Sequence, residues 1–548
     1  MFSMADMLAA VPTVNPVGAT GNSYDDVPYE SHPFVQTHPS RLFVIGTLFG
    51  MRPTPVQRCR VLELGCAAGG NIIPMADYLP DSQFIGLDLS ARQIQDGQKI
   101  VDQFNLKNIK LMHASITDVN ETYGQFDYII CHGVFSWVPP AVQDKILDIC
   151  GKQLSPNGIA YISYNTYPGW HMRGMIREMM RYHSGRFNTA QLRTQQARAL
   201  LDFLAQSVKQ EGSAFAVLLK QELETIRHQA DHYLYHEHLE ENNEPLYFHQ
   251  FAEKSKAKGL KYLGEARVGT MVTGNFGPEI EKTLRILATD QIQAEQYMDF
   301  LRNRMFRESL VCLDRVNPNF AVQPECLRVM HVASGAKAMG TDSQPLQQVK
   351  VSDDKENISY KTASGMSMAT TRPLLKAAMS ILAQAFPGTV PFDILRKQAR
   401  EMVGGDGADP KLIVDDTQVL AVGLLNCYMG SDLIELHGMP ITFCRVPGVK
   451  PMALPMAQVQ ALRSQTVTNR RHEVVRLNDL DKHLIPLLDG TNERPALVEK
   501  LTKIAQGGQL NVQKDGLTLY DPKEITTALT SVIDPALQNV ARMALLVQ

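Results

Sequence analysis

Residues 61–71 read VLELGCAAGGN. An apolar run of strand type, Val61 to Leu64, passes directly into a turn carrying glycines at 65, 69 and 70. Glycines are needed there because the backbone must turn sharply and let a ligand approach closely. A strand that opens through such a turn into a helix announces a parallel α/β sheet, provided the pattern repeats. It does repeat, in QFIGLDL (83–89), IKLMHASI (109–116), FDYIICHG (126–133) and GIAYISYN (158–165), with helical patterns between. Strands alternating with helices predict a doubly wound, Rossmann-like sheet over residues 41–185.

The turn also selects a ligand. A dinucleotide site requires G-x-G-x-x-G, where helix-start amides hold a pyrophosphate. Here the order is Glu63, Gly65, Gly69, with Ala67 where a middle glycine often stands. The Glu63 carboxylate would repel a pyrophosphate and suits a cation. S-adenosylmethionine, with its sulfonium and ammonium groups, fits; a nicotinamide dinucleotide does not. Asp88 ends the second strand at about the right distance to accept both ribose hydroxyls. A strand-end helix cap is the plainer reading of the same aspartate. After the third strand, Ser115 replaces the acid that usually meets the adenine amino group, which leaves the Ile116 amide to serve.

Both tryptophans of the chain fall just past strands, Trp137 in VFSWVPP and Trp170 in SYNTYPGWH. In a sheet of this winding the fourth and fifth strands are neighbours, and ligands bind off their C-terminal ends. Trp137 and Trp170, with Phe135, Tyr164 and Tyr167, are therefore expected to crowd one rim above the transferable methyl group. The bland alternative is that the tryptophans only cap the sheet beneath a neighbouring helical region.

Composition narrows the class. The 548 residues are 44% hydrophobic and 20% charged, the balance of a globular protein, with room for about three domains. A net charge of −3 gives no reason to expect nucleic acid as partner. The eight cysteines are scattered without a C-x-x-C pair, which points to reduced thiols and a cytoplasmic location. No membrane span and no signal peptide are expected.

Residues 1–40 read as an extended lead-in packing on the cofactor site, and 186–338 as a helical domain. The polar stretch 339–371 reads as a linker, and 372–548 as helices with one hairpin, LIELHGMPITFCRV, in a winged-helix-like unit. His232, His236, His238 and His249 invite a metal reading, but methyl transfer needs none and none is expected. Arg173, Arg177 and Arg181 share a helix face and are expected to be solvated or salt-bridged.

The segments YDDVPYESHPFVQTHPSRL (24–42), LELGCAAGGN, CHGVFSWVPP, SYNTYPGWH and YLYHEHLEENNEPLYFHQFAEKSKAKGLKYLGEA (233–266) resemble the bacterial class I methyltransferases that carry a methyltransferase regulatory domain. So do QYMDFLRNRMFRESLVC and LLDGTNERPALVEKL, and nearly the whole chain is covered. The resemblance implies transfer of a methyl group from S-adenosylmethionine to lysine side chains of a protein, such as a surface or outer-membrane protein before export. A small-molecule acceptor, or a non-catalytic cofactor-binding role, stays open. The expected cofactor site comprises Glu63, Gly65, Gly69, Asp88, Leu89, Ser115, Ile116, His132 and Phe135, with Tyr24 and Tyr29 of the lead-in. The expected acceptor site comprises Asn165, Tyr167 and Trp170, with Trp137 and Tyr164. Nothing in the sequence sets the oligomeric state.

Overall fold

The computed structural model describes residues 31–208, 212–340, 344–346, 348–407, 409–514 and 516–548. The chain divides into two compact units, each interleaved in sequence.

One unit gathers Ser31, Cys59–Gly70 and the described residues of Gln83–Asn317. Its centre is a seven-stranded sheet built from β1 (Arg60–Leu64), β2 (Gln83–Asp88), β3 (Ile109–His113), β4 (Phe126–Cys131), β5 (Leu154–Asn165), β6 (Leu260–Glu265) and β7 (Phe306–Leu313). The order is β3-β2-β1-β4-β5-β7-β6. Strands β1 to β5 are parallel, and β7 runs antiparallel between β5 and β6. Strand order reverses between β1 and β4, and this switch point is where α/β sheets bind ligands. Central strands are buried along nearly their whole length because both faces are covered. Leu62, Leu87, Ile129 and Ile162 share a core with Ile146 and Leu147 of the helix Pro140–Gln153, and with Phe251 of the helix Phe248–Lys256.

The helices Gly169–Ser184, Ala190–Ser207 and Ala214–Arg227 form a second core around Ile176, Met180, Ala197, Leu201, Leu219 and Leu223. The reading of 186–338 as helical needs correction, since β6 and β7 come from it and complete the sheet. Their short apolar runs are diluted in a long Gln/Glu/Arg-rich window. With β7 paired to β5 and β6 paired to β7, the two strands bury almost every residue.

The other unit gathers His32–Arg58, Asn71–Ser82 and Pro318–Gln548. The stretch expected to be a linker is structured. Ile358–Lys361 pairs antiparallel with Ser367–Thr370 and with Lys337–Met339, and it buries Ile358 and Tyr360 on alternate positions. The expected hairpin at 433–446 does not form. Only Glu435–His437 is a strand, and it pairs with His331–Ala333 instead. Gly438 and Pro440 interrupt the run, and a proline cannot continue a ladder.

The last hundred residues fold around Leu484, Leu488, Leu497, Leu501, Leu529 and Leu537, with helices Arg494–Gln506 and Pro522–Arg542 as the main walls. Among the described residues one helix, Pro410–Gly430, is long and apolar enough to cross a membrane by length and composition alone. It reads as a core helix here. Leu420, Ala421 and Leu424 are fully buried, and Asp416 forms a two-point ion pair with Arg400.

Candidate active site

The turn after β1 is clamped to β2, because the amides of Gly65 and Cys66 both donate to the Leu87 carbonyl, at 2.8 and 3.0 Å. Gly65, Ala67 and Gly69 all hold positive φ, at 75°, 49° and 76°. Glycine is obligatory at 65, since a Cβ there would lie 2.5 Å from Val134 Cγ2. Ala67 carries its methyl in the left-handed region at a cost of about 1 kcal/mol. A Cβ at Gly70 would collide with the Ser31 carbonyl, and the Gly70 amide donates to the Ser31 hydroxyl at 2.7 Å. Tyr24 and Tyr29 lie outside the described residues.

Asp88 closes the turn from the other side. Its Oδ2 accepts the Ala67 amide at 2.9 Å and its Oδ1 the Ser90 amide at 2.8 Å. The helix cap is Ser90, whose hydroxyl accepts from Gln93. A carboxylate has about four acceptor positions, more than these two amides take up. Glu63 is buried at the end of β1, close enough to the Cys66 and Cys131 thiols to help burial push both upward. Leu89 is 60% exposed beside the Asp88 carboxylate, as an apolar wall for a bound ring would be.

At the end of β3, Ser115 is occupied by a capping box. Its hydroxyl accepts from Thr117 while the Asp118 carboxylate accepts the Ser115 amide. This fixes the short helix Ile116–Asp118 and leaves Ile116 partly buried behind it. At the end of β4, His132 Nδ1 lies 2.9 Å from the Tyr161 hydroxyl, which donates on to Glu308. Burial lowers His132 to about 4, so its ring is neutral. The Gly133 amide donates to Ser163, tying β4 to β5 at the rim.

Phe135 and Tyr164 do not form the rim. Phe135 is fully buried and Tyr164 nearly so; Tyr164 stacks on Phe251 at 4.3 Å, and its hydroxyl meets Ser309. The side chains of a strand alternate between faces. Residue 164 therefore points into the core, opposite to Asn165. The two tryptophans do meet, edge to face at 6.0 Å. Trp170 is only 2% exposed, at the start of the helix Gly169–Ser184, while Trp137 is partly buried.

Tyr167, at the rim, is partly exposed. It stacks on His171 at 4.0 Å and lies 5.2 Å from Tyr247, whose hydroxyl is 3.1 Å from His171 Nε2. Burial first, then Glu244, Tyr247 and Glu178, raise the Tyr167 phenol above its usual value.

The segment 240–247 crosses this rim. The Glu244 amide donates to the Ser136 carbonyl, and the Tyr167 amide and Thr166 hydroxyl donate to the Leu246 carbonyl. The Asn165 side-chain nitrogen donates to Asn243 at 2.8 Å, and its backbone amide to Ser136 Oγ at 2.9 Å. Asn243, Glu244, Tyr247, Ser136 and His171 escaped the residue-by-residue reading. Only the density of Asn, Glu and Tyr in EENNEPLY hinted at a site, because the contacts are long-range.

Among the described residues no His/Cys/Asp/Glu group is arranged to hold a metal. His236 pairs with Glu240, and His249 faces Gln296. The His232 side chain lies outside the described residues. Of the arginine face, Arg173 is salt-bridged to Glu222 and Glu237 and lies over the Trp170 ring, while Arg177 donates to the Glu240 backbone carbonyl.

The strand order, the acidic-then-glycine turn and Asp88 define a class I, S-adenosylmethionine-dependent methyltransferase. Comparison with known proteins agrees along the chain. Residues 55–231 match the family described as "Methyltransferase domain", 230–313 "Predicted methyltransferase regulatory domain", and 450–545 "PKMT, C-terminal winged helix domain". The last of these places the winged helix later than the helix-and-hairpin run from which it was expected.

Rickettsia typhi PKMT2, solved in complex with AdoHcy, is 31% identical with a TM-score of 0.82, over 95% of this chain and all of that one. The Rickettsia prowazekii protein RP789 is 35% identical over 534 residues, 96% of this chain and 94% of its own. RP028 of the same organism is 47% identical over 241 residues, 44% of this chain and 96% of its own. The chain belongs to the PKMT family of class I methyltransferases with a regulatory domain and a C-terminal winged helix.

Proposed function

We propose that the protein transfers methyl groups from S-adenosylmethionine to lysine side chains of a polypeptide. The observation that carries this reading is the likeness to PKMT2, which extends beyond the methyltransferase domain to 95% of the chain. The rim supports it. Tyr167, His171 and Tyr247 gather there beside the Asn165–Asn243 pair, an aromatic and polar lining that suits an amine.

The reaction is an in-line displacement at the sulfonium methyl, in which the amine nitrogen attacks and the thioether leaves. The lysine must first lose its proton, at a cost of roughly 4–5 kcal/mol near neutral pH. A partly dry aromatic wall of Tyr167 and Trp137, backed by the enclosed Trp170, disfavours the ammonium form, and the cofactor cation does the same. The Asn165 carbonyl oxygen can accept an amine hydrogen and so orient the nitrogen lone pair. Most of the acceleration would come from positioning and desolvation.

We place the reaction in the cytoplasm, where the eight free cysteines would stay reduced. The acceptor would be a surface or outer-membrane protein met before export. The test uses cofactor labelled on its methyl group, a lysine-rich polypeptide and a cell extract, followed by total hydrolysis. Label recovered as Nε-methyl-lysine supports the reading; label confined to small molecules, or on oxygen, would refute it.

A further inference from the structure

Residues 469–473, Asn-Arg-Arg-His-Glu, form the tight turn of the antiparallel hairpin Thr466–Thr468 and Val474–Arg476, inside the winged-helix match. His472 holds a left-handed φ of 61°, which is costly for a residue with a Cβ. Its ring is 5% exposed, and Nε2 lies 2.8 Å from Asn71 Oδ1. The same oxygen accepts the Phe34 amide at 2.9 Å, while the Asn71 side-chain nitrogen donates to Thr37 Oγ1 at 3.0 Å. A backbone N–H can only donate, so the Asn71 atom facing it is the carbonyl oxygen. His472 must therefore present Nε2–H. His38, 5.1 Å away, accepts the Ser40 amide at Nδ1.

Asn71 directly follows Gly70 and stands at the N-cap of the helix Ile72–Tyr78. Asparagine is favoured at that position because its side chain caps the first-turn amides. Here the side chain makes no cap hydrogen bond and is turned to Phe34, Thr37 and His472 instead. The hairpin turn grips the same helix again. Arg470 pairs with Asp77 at 3.7 Å and lies 4.7 Å over the Tyr78 ring. A strained histidine, 401 residues away in sequence, thus holds the residue at which the cofactor turn ends.

We propose that His472 is a positioning residue for cofactor binding: by holding Asn71, it fixes the exit of the Gly65–Gly70 turn and lets the C-terminal domain set cofactor affinity. This rests on the reading of that turn as the cofactor cradle. The buried ring donates one hydrogen bond to Asn71 Oδ1, and its loss removes one of the bonds that fix that side chain.

The test is calorimetric titration of the full chain with S-adenosylhomocysteine, using His472→Ala, His472→Gln, Asn71→Ala, the Asn71→Ala/His472→Ala pair, and Asp88→Ala as control. His472→Ala should bind about tenfold more weakly, and His472→Gln, which keeps an N–H donor, should recover most of the loss. The double variant should bind no worse than Asn71→Ala alone, since the two residues act as one unit. With S-adenosylmethionine as substrate, KM should rise while kcat at saturation holds.

A His472→Ala protein that melts earlier yet binds at wild-type strength would reduce His472 to scaffold and overturn the proposal. Wild-type binding by Asp88→Ala would instead remove the cradle reading itself, and the proposal with it. If His472→Ala does not fold, hydrogen exchange on the wild type decides, because coupling is reciprocal. Saturating ligand should slow the amides of 469–473 and 34–38, and unchanged exchange there would overturn the coupling.

Discussion

Asp88 Oδ2 accepts the amide hydrogen of Ala67 at 2.9 Å, so the carboxylate expected to hold the ribose also holds the cofactor turn in shape. The two roles are linked, because Ala67 sits in the left-handed region and needs a partner to stay there. Replacing Asp88 by alanine removes both at once.

Asp88→Ala should weaken S-adenosylhomocysteine by roughly ten- to a hundredfold, the range for losing about 1.5–3 kcal/mol of charge-assisted hydrogen bonding. Asp88→Asn separates the roles. Its amide oxygen can keep one backbone amide while the paired acceptors for the ribose are gone, so it should melt near wild type and still bind poorly. Calorimetry beside thermal unfolding reads both, and wild-type affinity in either variant would remove Asp88 from the site.

The glycine turn and the carboxylate that faces it were legible because local sequence builds them. Glu63, Gly65 and Gly69 are close in sequence, and Asp88 ends the adjacent strand, so spacing alone brings them together. The acceptor half was not. Phe135 and Tyr164 looked like rim residues by proximity to Trp137 and Asn165, but strand alternation and the arrival of Phe251 put them in the core. Asn243 and Glu244 reach the rim from a loop some eighty residues beyond β5, and no local pattern reports such a contact. The strands β6 and β7 were hidden for the same reason, since β7 is held by pairing with the distant β5 and β6 by pairing with β7. His472 is the extreme case, a histidine in a polar turn with nothing nearby to mark it.

The rim aromatics should split by burial. Trp170 is almost wholly enclosed, so Trp170→Ala should destabilise the unit by about 3–5 kcal/mol, chiefly as a cavity. Tyr167 is only partly covered, so Tyr167→Ala should leave the melting temperature within a few degrees while turnover falls. Without the aromatic wall more of the acceptor stays protonated, and raising the pH should recover part of the lost rate. Rate–pH profiles of Tyr167→Ala and wild type test this. A constant rate ratio from pH 7 to 9 would exclude Tyr167 from the acceptor channel.

Arg307 should be the most sensitive charge in the sheet unit. It is fully buried in β7, where it contacts Glu265 at 2.8 Å, Glu295 at 3.1 Å and Asp299 at 2.7 Å, with Phe248 beneath the guanidinium. Arg304 supplies a second cation to Glu265 and Asp299. Arg307→Met keeps the bulk but leaves buried carboxylates under-compensated. Breaking one side of such a cluster costs about 3–5 kcal/mol. Denaturant titration should show that loss, with Arg307→Lys intermediate, because an ammonium group cannot reproduce the fork on Asp299. A loss under about 1 kcal/mol in Arg307→Met would mean the cluster is neutralised by protons rather than by the arginine.

Stability should fall as the pH drops below about 6.5, and His38 gives the cleanest test of the cause. Its ring caps the helix Pro39–Leu48 by accepting the Ser40 amide at Nδ1, so a proton on that nitrogen would break the cap and set a cation against the helix N-terminus. Burial, helped by His437, lowers it to about 3. His238 is lowered to about 3 and His132 to about 4 by burial, and burial with His38 nearby takes His472 down as well. In the unfolded chain each of these takes up a proton near pH 6.5. Between that value and its folded value, each histidine makes the unfolded state bind more protons, so stability rises with pH there and is lost on acidification. The slope is up to about 1.4 kcal/mol per pH unit for each ring. Above pH 6.5 both states are neutral at these positions and the contribution is complete. Buried carboxyls that are raised, such as Glu237 and Asp299, oppose the trend at lower pH. A difference measurement is therefore needed. His38→Asn retains a good N-cap without the titration, so its unfolding free energy should vary less steeply than wild type between pH 6.5 and 4, by about 1.4 kcal/mol per unit. Parallel curves for the two proteins would show that His38 accepts a proton in the folded state.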